Sequence, residues 1–243
     1  HVACYWGDVV TKYFPKHEVQ AMARAFSCSE AVHAAAYSHL SDTLGLDDFE
    51  AFLGDPTARA KIDYFVNQTD PVVSLGVFSG AGEGVSLFSS FAALLSFNLD
   101  GRFKGISQII SWSALDEQQH SNGGCALFRQ LDSEGKVSDE QKQQIVKGFE
   151  AVLDNEDAFL ERIFNGYALS CIDRGDLRNY IRYRANDRLS VLNISHRFSY
   201  NKDGADRIRK WFEPVLRGQI SHDFFAHNKE GSAYIAKPDQ DFS

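Results

Sequence analysis

Apolar side chains recur at helical spacing along most of the chain. Between residues 18 and 40, Val19, Met22, Ala23 and Phe26 fall three and four apart, with no glycine or proline. That spacing predicts a long helix with one buried face. Asp55-Pro56 and Asp70-Pro71 each open a further helix, aspartate serving as N-cap and proline as the first helical residue. The second of these runs from Val72 towards Phe97. Gly76, Gly80, Gly82 and Gly84 weaken it by about 1 kcal/mol each relative to alanine, so packing must compensate and a local distortion is expected. Residues 102–131 and 173–194 read as helices, and 138–171 as two helices or one interrupted helix starting at the capping box Ser138 to Gln141. A short helix over 204–218 precedes an irregular tail. No alternating strand of useful length is present, so the expected class is all-α, a helical bundle. The 243 residues suit a single domain over 1–243.

Composition narrows the function. With 33 acidic against 25 basic residues and a formal charge of −8, the chain has no broad electrostatic footprint for phosphate backbones, and no direct nucleic-acid partner is expected. Cys4, Cys28, Cys125 and Cys171 are widely spaced. They read as reduced, structural thiols, not a zinc or dithiol motif. The apolar run Leu87 to Phe97 is broken by serines and falls short of the roughly 20 residues that cross a bilayer. The first residues lack the layout of a secretory signal. The setting expected is cytosolic, with no membrane partner.

Glu30 and His33 lie three residues apart, and Glu117 and His120 repeat that spacing within a second long helix. Positions i and i+3 share a helix face, so each pair offers a carboxylate and an imidazole to one centre. Oxygen and nitrogen donors suit iron or manganese better than structural zinc. Helical dimetal proteins join two such motifs with a lone carboxylate from each of two other helices, and Glu83, set in apolar surroundings, is a candidate for one. A single Glu-x-x-His is more often a solvated helix face. The duplication, and acids within apolar runs that only cations can hold ionised together, favour a site. Tyr37 follows His33 by one turn on nearly the same face; without the metal motifs it would read as a core tyrosine. Asp116 is placed either to accept a hydrogen bond from the far nitrogen of a ligand histidine or to stand on the surface.

The string Ser29 to His39, Glu83-Gly84 followed by Phe88 and Phe91, and Asp116-Glu117-Gln118-Gln119-His120 resemble the ligand helices of class I ribonucleotide reductase small subunits. Tyr180 to Tyr183, Asn186, Arg188, Trp211-Phe212 and His222 to Phe225 resemble later family segments in the same order. The resemblance implies a ferritin-like bundle with additional C-terminal helices, forming a homodimer. It implies two metal ions, iron, manganese or a mixture, that react with oxygen to oxidise Tyr37 to a stable radical. That radical passes to a separate large catalytic subunit, which reduces ribonucleotides, diphosphates or triphosphates. By the same resemblance Glu30 and Glu117 bridge the metals, His33, His120 and Glu83 are terminal ligands, and Asp116 orients a ligand histidine.

The family has one more carboxylate ligand and an upstream tryptophan on the radical path, and neither is matched within this chain. The expectation is a chain trimmed at both ends. Glu30 lies about 13 residues past the Pro15 turn, roughly 20 Å up its helix, which leaves Asp8 on the preceding helix roughly 10 Å too low to be the facing ligand. An acid shortly before His1 is expected instead. Tyr234 matches a segment before the family's mobile tail, and Leu87 stands where members often carry phenylalanine. Competing readings are a related di-iron oxidase or oxygenase with a substrate pocket, a ferritin-type iron store, and a non-enzymatic helical interaction module.

Overall fold

The computed structural model describes residues 2–45, 54–66, 69–165, 169 and 171–217. Its helices are α1 (2–13), α2 (His17–Thr43), α3 (Pro56–Val66), α4 (Pro71–Asp100), α5 (Lys104–Ser133), α6 (Asp139–Ile163), α7 (Arg174–Val191) and α8 (Lys202–Leu216). The described residues contain no strand. The segments His222 to Phe225 and Tyr234 lie outside them.

The start signals act as their chemistry demands. Asp70 accepts hydrogen bonds from the amides of Val72 and Val73, Asp55 accepts one from Thr57, and Asp173 one from Asp176. Ser138 and Gln141 close a reciprocal capping box, each such cap satisfying amides that the first helical turn leaves without partners. Among the described residues of 138–171 the helix is single and unbroken, Asp139–Ile163.

Helix α4 is the axis of the molecule. It is long and apolar enough to span a membrane, yet 89% of its most apolar window is buried against protein. It packs against α5, α6 and α7. Its glycines permit that crowding: a Cβ on Gly80 would stand 2.8 Å from Cζ of Phe149, and one on Gly84 2.6 Å from Cδ of Arg188. The expected distortion is a π-helical stretch, Phe78–Ser86, inside α4. A second π stretch, Tyr5–Val10, lies in α1. Such widened turns rarely persist unless the surrounding packing stabilises them, and they cluster at functional sites.

Helix α1 runs antiparallel to α2, with Ser27 Oγ donating to Ala3 O and Gln20 Nε2 donating to Phe14 O. Helix α2 also packs on α5. Helices α1, α2, α4 and α5 thus surround one interior, and α6, α7 and α8 cover the far side of α4.

Candidate metal centre

Five side chains from three of these helices converge there. Glu30 and His33 come from α2, Glu83 from the π stretch of α4, and Glu117 and His120 from α5; none is more than 7% exposed. Glu30, Glu83, Glu117 and His120 present ligand atoms within 4.8 Å of one another. His33 stands across from them, with Nδ1 3.5 Å from Oε2 of Glu30 and 3.2 Å from Oε1 of Glu117. His120 Nδ1 lies 2.8 Å from Oε1 of Glu30, 3.4 Å from Oε2 of Glu117 and 4.0 Å from Oε1 of Glu83. Each of Glu30 and Glu117 therefore turns one oxygen to His33 and the other to His120.

Protons take up the charge of this cluster. Burial works against a charged His33, but hydrogen bonding to Glu117, Glu30 and Asp116 outweighs it and raises the imidazole to about 10. His120 is raised to about 9 against the same burial by Glu117 and Glu30. For Glu30, burial is overcome by His120 and His33, which bring the carboxyl to about 2. Glu83 goes the other way: burial, then repulsion from Glu117, pushes it well above the carboxylate range, against the indole of Trp6.

The donors fit a metal pair. Oε1 of Glu30, Nδ1 of His33, Oε2 of Glu83, Oε2 of Glu117 and Nδ1 of His120 are buried without a hydrogen bond of normal geometry. Such unpartnered polar atoms, converging on one interior, are what cations would satisfy once they displace the protons.

The surroundings orient these groups. Asp116 Oδ2 lies 3.1 Å from Nε2 of His33 and accepts from Ser29 Oγ at 3.3 Å. Asp8 is exposed and is not among the residues whose ligand atoms converge. Tyr37, one turn past His33, has a buried hydroxyl near Ser113 that closes no hydrogen bond of normal geometry. Burial, with the charges of Glu117 and Glu30, raises this phenol to about 12 although Ser113 opposes the shift.

Sequence reasoning missed Trp6. Its Nε1 donates to Oε1 of Glu83 at 2.6 Å, and its ring is fully buried. A tryptophan 77 residues from its partner leaves no local signal. Missed too was the Lys61–Glu156 ion pair, 2.8 Å long, whose carboxylate also accepts from Ser86 and Ser89.

A duplicated carboxylate and histidine pair on facing helices, joined by a lone glutamate from a third, defines the helical class that holds two metal ions between its carboxylates. Within that class the chain belongs to the ribonucleotide reductase small-chain family, whose model matches residues 1–203. It is 30% identical over 243 residues to the probable ribonucleoside-diphosphate reductase small subunit of Invertebrate iridescent virus 6, covering 79% of this chain and 68% of that protein. To the corresponding protein of Invertebrate iridescent virus 3 it is 30% identical over 246 residues, 89% of this chain and 63% of the relative. The ribonucleoside-diphosphate reductase subunit beta of Chlamydia pneumoniae is 27% identical over 194 residues, 68% of this chain and 54% of that one. The chain thus spans between about half and two thirds of the length of these curated relatives.

Proposed function

We propose that this chain generates the radical of a class I ribonucleotide reductase. Glu30 and Glu117 would be shared between two metal ions, His33 and His120 would each complete one, and Glu83 would belong to the ion held by His120. The observation that carries this reading is the division of the Glu30 and Glu117 oxygens between the two histidines. Oxygen and imidazole donors favour iron, with manganese or a mixed pair also accommodated. When bound, the metal pair supplies the capacity to activate oxygen and take one electron from a nearby phenol.

The chain's own residues do the rest. Asp116 fixes the His33 ring through Nε2, which leaves Nδ1 turned to the centre. Tyr37, about 6 Å along α2 from His33 by helical rise, is the residue oxidised. Its raised pKa keeps the phenol neutral, so loss of an electron is accompanied by loss of the Oη proton. The radical then passes to a separate large subunit, where ribonucleotides are reduced.

Helix α2 supports a homodimer. Ala21, Ala25, Cys28, Val32 and Ala35 form an exposed seam at heptad-like spacing, and Val32 is 67% exposed, a small-residue face suited to close helix packing. Neither nucleic acid nor membrane enters this reading, and the protein works in the cytosol, that of an infected host included. The test is metal content with electron paramagnetic resonance after aerobic reconstitution: close to two ions per chain and a tyrosyl signal are expected. Substoichiometric metal would defeat the reading.

A further inference from the structure

Against the π stretch of α4 lies a buried cation that no step above uses. Arg184 of α7 is 4% exposed. Among the described residues no carboxylate stands within ion-pair distance of it, and burial lowers its pKa. Its donors go elsewhere. Nε and Nη2 both donate to the carbonyl oxygen of Gly84, at 3.0 and 2.8 Å, and Nη1 donates to Oε1 of Gln118 at 3.0 Å. The guanidinium carbon lies 3.8 Å from the centre of the Phe88 ring.

Those acceptors are not arbitrary. Gly84 follows Glu83 in the chain, and Gln118 follows Glu117. One planar fork therefore spans the residues next to two carboxylates of the centre, on two different helices. Gly84 is also packed on its other side, where any Cβ would meet Arg188 and Ser121. Gln118 is held in turn: its Nε2 donates to Oδ1 of Asn122 at 3.1 Å, and Arg188 Nη1 donates to the same oxygen at 2.7 Å. A π-helical stretch has weaker internal geometry than an α-helix, so the position of Glu83 depends on what grips its backbone from outside. Charge-assisted bonds in a dry interior are well suited to that task.

We propose that Arg184 is a positioning residue for Glu83: through Gly84 and Gln118 it sets the spacing between the α4 and α5 carboxylates, and so the affinity of the metal position that Glu83 shares with His120. This rests on the dimetal reading above. The position at His33 shares Glu117 with this support but not Glu83, and is the comparison against which a selective effect is read.

The experiment is titration of the metal-free full chain with Co(II) under anaerobic conditions, followed by visible absorption and calorimetry, with thermal unfolding of each metal-free protein alongside. Arg184→Lys keeps the charge and loses the fork. Gln118→Leu leaves Arg184 in place and removes one arm. Wild-type protein should take up two ions. In Arg184→Lys one binding step should weaken by about tenfold or more, as loss of an outer support to a ligand does, while the other stays within about twofold. Gln118→Leu should weaken the same step by a smaller factor. Unchanged binding of both ions in both variants would overturn the proposal, as would both steps weakening together in proportion to lost thermal stability. Should Arg184→Lys fail to fold, the single-step loss in Gln118→Leu carries the test. Wild-type protein that binds no pair of ions would defeat the dimetal reading itself, an outcome seen before any variant is compared.

Discussion

The indole of Trp6 donates to Oε1 of Glu83 at 2.6 Å, and each residue lies in a π-helical stretch, one in α1 and the other in α4. A neutral donor on a buried carboxylate favours its ionised form, the form that binds metal. Trp6→Phe keeps most of the ring and removes the N–H. Affinity for the ion beside Glu83 should fall about tenfold, with Co(II) titration as the measurement. Unchanged affinity would show that the bond serves packing alone.

Tyr37→Phe should load two metal ions and lack the tyrosyl signal. Electron paramagnetic resonance after aerobic reconstitution reads this directly. A tyrosyl signal of wild-type shape in that variant would move the oxidised residue elsewhere among the nine tyrosines.

The pH dependence of the metal-free protein follows from the histidines. Their folded pKa values, about 10 for His33 and about 9 for His120, lie above the ordinary imidazole value of roughly 6.5. The folded state therefore binds more protons than the unfolded one through that window, and stability must fall as pH rises. The contribution is complete below about 6.5 and is lost as pH passes through about 9 to 10. Glu83, also raised, acts in the same direction. Metal competes with these protons, so apparent metal affinity should climb over the same range. Urea unfolding of metal-free protein at several pH values checks the first claim, and titration with Mn(II) the second. A metal-free protein that gains stability between pH 7 and 9 would contradict it.

Much of this was legible in the sequence for a physical reason. Caps and ligand pairs are local: Asp70 needs only Val72 and Val73, and Glu-x-x-His needs only one helical turn. The glycines of α4 announced a distortion, although nothing in them specified a π stretch over a kink. Trp6, Arg184 and the Lys61–Glu156 pair were illegible because their partners are far off in the chain, 77 residues for Trp6, 66 and 100 for Arg184 and 95 for Lys61, and each is an ordinary residue until the chain folds. Asp116 was ambiguous in sequence, surface acid or histidine partner, and the structure sets it 3.1 Å from His33 while leaving its side chain 45% exposed.

The Lys61–Glu156 pair should be costly to break and cheap to replace. Glu156 is 1% exposed at its side chain, and Lys61, at 16%, also rests over the Phe159 ring. Glu156→Leu leaves a buried ammonium without its carboxylate and should lose about 3–5 kcal/mol. Lys61→Met combined with Glu156→Leu should lose clearly less. Urea denaturation of the four proteins in the cycle separates these outcomes, and equal losses in single and double variants would refute the account.

A π stretch is, in residue count, an α-helix with an insertion, and each inserted residue turns all that follows by about 100°. The widened segment Phe78–Ser86 therefore sets a rotational phase between the two halves of α4. Before it, Gly76 faces Ile145 of α6; at and beyond it, Gly84 lies against Arg188 of α7 and Phe88 against Phe212 of α8. Deleting one residue there would restore regular winding and leave every later side chain aimed at the wrong neighbour. The helix works as a coupling between two packing registers, and Glu83 sits at the joint.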